Sequence, residues 1–150
     1  MQRLVSAEID LKVEFYDVDS MRIVWHGNYI RYMEQARCAL LDLIGYNYNE
    51  MEAADIAWPI VDIHVKYISP LIFNQKFRVR ATLVDWENRL KIEYLIFDPE
   101  TGKKITKAHT VQMAVDMQKQ ESLFVTPPQV RDTIENVLDI INTTEAGVRG

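Results

Sequence analysis

Apolar residues alternate with polar ones over residues 8–16: Ile9, Leu11, Val13 and Phe15 share one side, and Asp10, Lys12 and Glu14 share the other. A period of two predicts a half-buried strand. The period then changes. After Asn28, the run YIRYMEQARCALLDLI contains neither Pro nor Gly and stops at Gly45. Tyr29, Met33, Ala36, Leu40 and Ile44 recur at helical spacing, and Ile30, Ala39, Leu41 and Leu43 widen the apolar face. This predicts a long helix buried over most of its circumference, with Asn28 as N-cap and Gly45 ending it. Residues 46–57 predict a loop or short helix.

Four segments of period two follow. Val61, Ile63, Val65 and Tyr67 mark 58–68; Phe77, Val79, Ala81 and Leu83 mark 76–86; Leu90, Ile92, Tyr94 and Ile96 mark 90–97; Val111, Met113, Val115 and Met117 mark 103–117. Short turns at Asp85–Arg89 and Pro99–Gly102 make the last three antiparallel neighbours. Thr126, Pro127 and Pro128 open a final helix with the stripe Val130, Ile134, Val137, Leu138 and Ile141. The expectation is one α+β domain over 1–141, an antiparallel five-stranded sheet around a long central helix plus a C-terminal helix. Residues 142–150 follow as a flexible tail.

Composition narrows the chemistry. Seventeen basic against 22 acidic residues give a net charge of −5, so no general attraction to phosphate backbones is expected and nucleic acid drops as a partner. Cys38 is the only cysteine, which excludes an internal disulfide and cysteine-rich metal sites. It is expected as a small buried hydrophobe on the helix. No signal-peptide core or membrane span stands out, so a cytoplasmic protein is expected. No nucleotide or metal motif occurs, and neither a cofactor nor a metal is expected. His64 and His109 are read as strand residues without a ligand role. Glu34 and Arg37 are read as an ion pair along the helix.

The stretch FYDVDSMRIVWHGNY, residues 15–29, remains. It gathers Asp17, Asp19, His26 and a helix N-terminus. Free amides at a helix start suit a carbonyl oxygen that gains charge, and a nearby carboxylate can attack or activate water. Aspartates in such a loop also serve simply as turn residues.

The run DVDSMRIVWHGNYIRYMEQAR resembles the opening motif of the hot-dog-fold acyl-CoA thioesterases, in particular the 4-hydroxybenzoyl-CoA thioesterase and YbgC-like branch. The resemblance extends over roughly residues 8–130. It implies thioester hydrolysis with Asp19 as nucleophile or general base and Asp17 as a structural residue. His26 is implied as the catalytic histidine, and an oxyanion site at the backbone N–H of His26 or Gly27. Asn28 matches the family's asparagine before the helix and is implied to meet substrate. Two positions depart from the family. Arg22 stands where glycine is usual and is expected to touch substrate, and Phe15 stands at a tyrosine position, with Tyr16 on the opposite strand face. Arg78 and Arg80 share one strand face, Arg89 and Lys91 the next, and the latter two are expected to grip CoA phosphates. The resemblance also implies a homodimer or homotetramer paired through 58–68, with the site at the interface. Acyl-carrier-protein thioesterase and non-catalytic acyl-CoA binding are the competing functions.

Overall fold

A computed structural model of the chain describes residues 4–149, with side chains through Thr143. Strand β1 (Ser6–Lys12) leads through a short 3-10 turn at Phe15–Asp17 to helix α1 (Asn28–Ile44) and the short helix α2 (Tyr48–Ala53). Strands β2 (Ile56–Ala57), β3 (Ile60–Tyr67), β4 (Lys76–Asp85), β5 (Leu90–Phe97) and β6 (Lys104–Gln112) follow. The short strands β7 (Ala114–Asp116) and β8 (Glu121–Leu123) then lead to helix α3 (Pro128–Arg149). Five strands form one antiparallel sheet in the order β1-β4-β5-β6-β3, and α1 lies across β1 and β4.

The two central strands follow their sequence pattern closely. Phe77, Val79, Ala81 and Leu83 on β4 are fully buried, as are Leu90, Ile92, Tyr94 and Ile96 on β5. They meet Tyr32, Met33, Ala36 and Leu40 of α1 in one core, to which α3 adds Val130, Ile134 and Leu138. Each large apolar side chain hidden this way contributes about 1.5–3 kcal/mol relative to an exposed one. Gly45 ends α1 in the left-handed region (φ +84°), and its N–H donates back to Leu41 and Asp42 carbonyls.

Several expectations change. The first strand ends at Lys12, and Val13 carries the pairing one step further, onto Gln75 and Asn74 ahead of β4. Phe15 and Tyr16 therefore sit together in the 3-10 turn, both exposed, so the opposite-face contrast between them does not hold. The segment 103–117 is two strands, broken at Met113, whose N–H turns to the Pro59 carbonyl. Its second half joins β2 and β8 in a separate three-stranded sheet. The helix is open along one side: Ile30 and Leu43 are exposed, and so is Cys38, whose sulfur accepts from the Asn47 side chain. Helix α3 continues through residues 142–149, the stretch set apart above as a tail, and Gly150 lies outside the described residues. No described helix is long and apolar enough to cross a membrane.

Candidate active site at the start of the central helix

The loop between β1 and α1 is built around Asp17. Its carboxyl group is almost fully buried, at 2% exposure for the residue. One oxygen accepts from the Glu14 N–H at 3.0 Å, and the other is held by the Arg31 guanidinium of α1. Its backbone carbonyl accepts from the Trp25 N–H at 3.1 Å and from the Asn28 side-chain amide at 2.8 Å. Asp17 thus clips both ends of the loop onto the first turn of α1. Tyr32 stands beside it. Burial, and then the Asp17 carboxylate, hold the Tyr32 hydroxyl above its ordinary range.

The start of the helix corrects one expectation. Asn28 is the first residue of the helix, and Gly27 occupies the N-cap position. The Asn28 amide is spent on the Asp17 carbonyl, so it orients the loop.

Asp19 sits in a different setting. Val18 and Val24 form an antiparallel bridge, Asp19 N–H donates to the Ile23 carbonyl at 2.9 Å, and Arg22 N–H returns to the Asp19 carbonyl at 3.0 Å. This is a tight turn followed by a residue in the left-handed region, the geometry of a three-residue hairpin with a bulge. That residue is Arg22, at φ +65°. Glycine adopts this conformation freely, whereas a side chain there costs about 1 kcal/mol or more. The hairpin is sutured to the following loop by an Ile23–Ile72 bridge and by Val24 N–H to the Leu71 carbonyl. At its tip Asp19 is exposed: Oδ1 accepts from Met21 N–H at 2.8 Å, and Oδ2 has no partner among the described residues.

His26 and Gly27 complete the group. Asn28 N–H donates to the Trp25 carbonyl, but the N–H groups of His26 and Gly27 make no hydrogen bond among the described residues. Trp25 lies against both: its ring is 5.0 Å from the His26 ring. A β-carbon on Gly27 would fall 2.1 Å from the indole, so a side chain there would push the exposed Trp25 ring aside. The His26 carbonyl accepts the Tyr67 hydroxyl at 2.7 Å, which fastens the end of β3 to the loop. Tyr67 in turn meets Tyr29 edge to face, and the Tyr29 hydroxyl accepts from Leu71 N–H. A recess of about 230 Å³ opens here between His26, Tyr67 and Ile68–Pro70.

One chain therefore gathers Asp19, Arg22, His26, Gly27 and Asn28 within a single loop. Arg89 and Lys91 are not with them. They lie at the β4–β5 turn, where Arg89 pairs with Asp85 at 3.3 Å and Lys91 faces Asp85 in the ladder. The loop instead meets the opposite end of the sheet, through Gln75 and the start of β4. Ten residues of strand, roughly 30 Å, separate these ends. Arg78 and Arg80 are occupied by Asp10 and Glu8 across the β1–β4 ladder, and Arg37 is paired with Glu34 as expected. The contribution of Tyr67 escaped sequence reasoning, because a hydroxyl–carbonyl bond between residues so far apart in the chain leaves no local pattern.

Comparison with known proteins gives this arrangement a family. The profile of the Thioesterase-like superfamily matches residues 13–137. The chain is 32% identical over 108 residues to YneP of Bacillus subtilis, provisionally named an acyl-CoA thioesterase; the match covers 71% of this chain and 78% of that one. It is also 32% identical over 110 residues to a chloroplastic acyl-acyl carrier protein thioesterase of Arabidopsis thaliana, covering 73% of this chain and 58% of that one. Among solved structures, a 1,4-dihydroxy-2-naphthoyl-CoA thioesterase from Synechocystis shares the fold, with a TM-score of 0.76 at 17% identity over 86% of this chain and 94% of that one. The sheet wrapped on α1 is a hot-dog fold, and the chain belongs to the Thioesterase-like superfamily.

Proposed function

We propose that this protein hydrolyses an acyl-CoA thioester to a carboxylic acid and free CoA, in the manner of the 4-hydroxybenzoyl-CoA thioesterase and YbgC-like branch. One observation carries the reading. A hairpin clipped to the start of α1 presents a carboxylate with an unpaired oxygen, and the two residues preceding the helix keep unpaired N–H groups. The thioester carbonyl oxygen docks on the N–H of His26 or Gly27, where the helix dipole stabilises the negative charge of the tetrahedral intermediate. Asp19 either attacks the carbonyl carbon, releasing thiolate and leaving an anhydride that water opens, or takes a proton from an attacking water. A thiol of ordinary pKa, ~8.5, leaves readily without a strong acid. The His26 ring makes no hydrogen bond among the described residues and is free to orient the water.

The site is completed by a second copy. Strand β3 is an edge, and it exposes the apolar side chains Val61 (55%), Ile63 and Tyr67; Ile30 on α1 is exposed as well. An unpaired apolar edge of this length calls for a partner strand, and antiparallel pairing of β3 with its own copy supplies one. A homodimer, or a tetramer of two such pairs, is the expected species in light scattering.

The decisive assay is release of free thiol from a panel of acyl-CoA esters. Asp19→Asn is expected to lower kcat by about 10²–10⁴-fold, the usual worth of a base or nucleophile, with unchanged folding. Near-normal turnover in that variant removes Asp19 from the mechanism. A carrier-protein thioesterase is the second reading, favoured by the Arabidopsis relative, and the same panel extended to acyl-carrier protein separates the two. Tight acyl-CoA binding without thiol release would point to a binding protein, the outcome that Phe15 and Arg22 favour.

A further inference from the structure

We propose that the outer face of the sheet around Lys66, Lys104 and Lys107 binds the phosphate-bearing end of the coenzyme A substrate. The inference rests on the acyl-CoA reading above and deepens it. On this face the β3–β6 ladder sets like against like: Lys66 lies directly opposite Lys107, and His64 opposite His109, with the two imidazoles stacked at 5.5 Å. Like charges facing each other across a sheet destabilise it. Here they line a recess of about 440 Å³ together with Lys104 and Arg80. The acidic groups nearby are few. Glu8 is taken by Arg80, Asp62 lies 3.7 Å from His109, and Glu93 lines the recess opposite His109 in the β5–β6 ladder. Lys66, Lys104 and Lys107 have no ion pair among the described residues. A chain of net charge −5 thus concentrates unpaired cations on one patch, which attracts phosphate oxygens and speeds their encounter.

The patch lies where the substrate must go. Tyr67 holds the His26 carbonyl, and Lys66 is the adjacent residue on the opposite face of the same strand. Ile68 and Ser69 both donate their N–H groups to the Ile105 carbonyl, which brings this corner beside Lys104. The recess beside His26 is lined by Tyr67 and by Ile68–Pro70, the segment that leaves β3. A pantetheine arm that follows Ile68–Pro70 out of this recess reaches the corner beside Lys104. Its diphosphate and ribose phosphate then meet the three lysines.

Steady-state kinetics on the intact oligomer tests this. The double variant Lys66→Glu, Lys107→Glu is expected to raise KM for acyl-CoA at least about tenfold while kcat stays within about twofold. Its action on the same acyl group carried by N-acetylcysteamine, which lacks phosphate, is expected to be unchanged. The milder Lys66→Gln, Lys107→Gln pair shifts KM the same way by less and leaves Tm equal or higher, since it removes a like-charge contact. Calorimetric titration with CoA and with pantetheine reads the patch directly, whether or not acyl-CoA is turned over: the reversal lowers affinity for CoA alone. Unchanged KM and CoA affinity overturn the proposal. So does equal loss on both thioesters, loss confined to acyl-carrier protein, or a KM rise produced only by reversal at Arg89 and Lys91. Failure of the wild type to release thiol from any acyl-CoA refutes the acyl-CoA reading instead.

Discussion

Asp17 and Asp19 are two residues apart in one loop, carry the same side chain, and live under opposite physical conditions. Asp17 is buried, its carboxylate is shared between a backbone N–H and the Arg31 guanidinium, and its carbonyl ties down Trp25 and Asn28. Asp19 stands at a hairpin tip with one oxygen turned to Met21 and the other open. A buried carboxylate with a donor already on each oxygen is closed to a substrate. One with an open oxygen contributes little to folding but remains able to react. Under the proposed mechanism the loop divides support and chemistry between neighbouring residues, and each can be altered separately.

The sharpest break of this contrast is kinetic: Asp19→Asn is expected to abolish most turnover at unchanged Tm. Its mirror image is Asp17→Asn. Breaking a buried ion pair is worth about 3–5 kcal/mol, but the Arg31 side chain is 50% exposed and water recovers part of that. The expected loss is therefore about 2 kcal/mol in denaturant unfolding, with substantial kcat retained wherever the variant is folded. A variant that keeps its stability but loses activity would reverse the two assignments. Arg22→Gly sharpens the comparison from the other side. Placing glycine at φ +65° relieves the hairpin beneath Asp19 and is expected to raise stability by about 1 kcal/mol.

The smallest effect is alkaline. Tyr32, beside Asp17, is held above its ordinary range by burial and then by that carboxylate, and burial pushes the Tyr94 hydroxyl up to about 12. The unfolded chain ionises both near pH ~10, so it releases protons before the native state does. Stability is flat below that pH and falls as pH rises toward 12. Unfolding curves on either side of pH ~10 should show the slope, and Tyr32→Phe with Tyr94→Phe should reduce it, leaving the part due to Tyr29 and Tyr46, which burial also raises.

The strands that pack on both sides were the legible ones. β4 and β5 lie inside the sheet, so their alternation reports a single buried face, and every apolar position anticipated for it is buried. Periodicity says nothing about which strand is an edge, which is why the apolar face of β3 is found uncovered and Ile30 and Leu43 remain open on α1. A strand that breaks at Met113 shows no Pro or Gly to mark the break, and two-residue β2 is too short to have a period. In the loop, the motif singles out Asp19 and separates it from Asp17 only through family resemblance. The spacing alone treats the two as equals, because the difference between them is made by Arg31 and Asn28 from the helix. Charge and hairpin position suggest Arg89 and Lys91 as a grip for CoA phosphates, and the length of the sheet sets them apart from the Asp19 loop within one chain.

The indole that presses on Gly27 has an optical consequence. Trp25 is 52% exposed, whereas Trp58 is buried and Trp86 half-buried. A water-borne quencher such as iodide therefore dims chiefly Trp25, and a ligand entering over His26 and Gly27 shields that one chromophore. The fluorescence of the unlabelled protein becomes a gauge of whether its reactive end is filled.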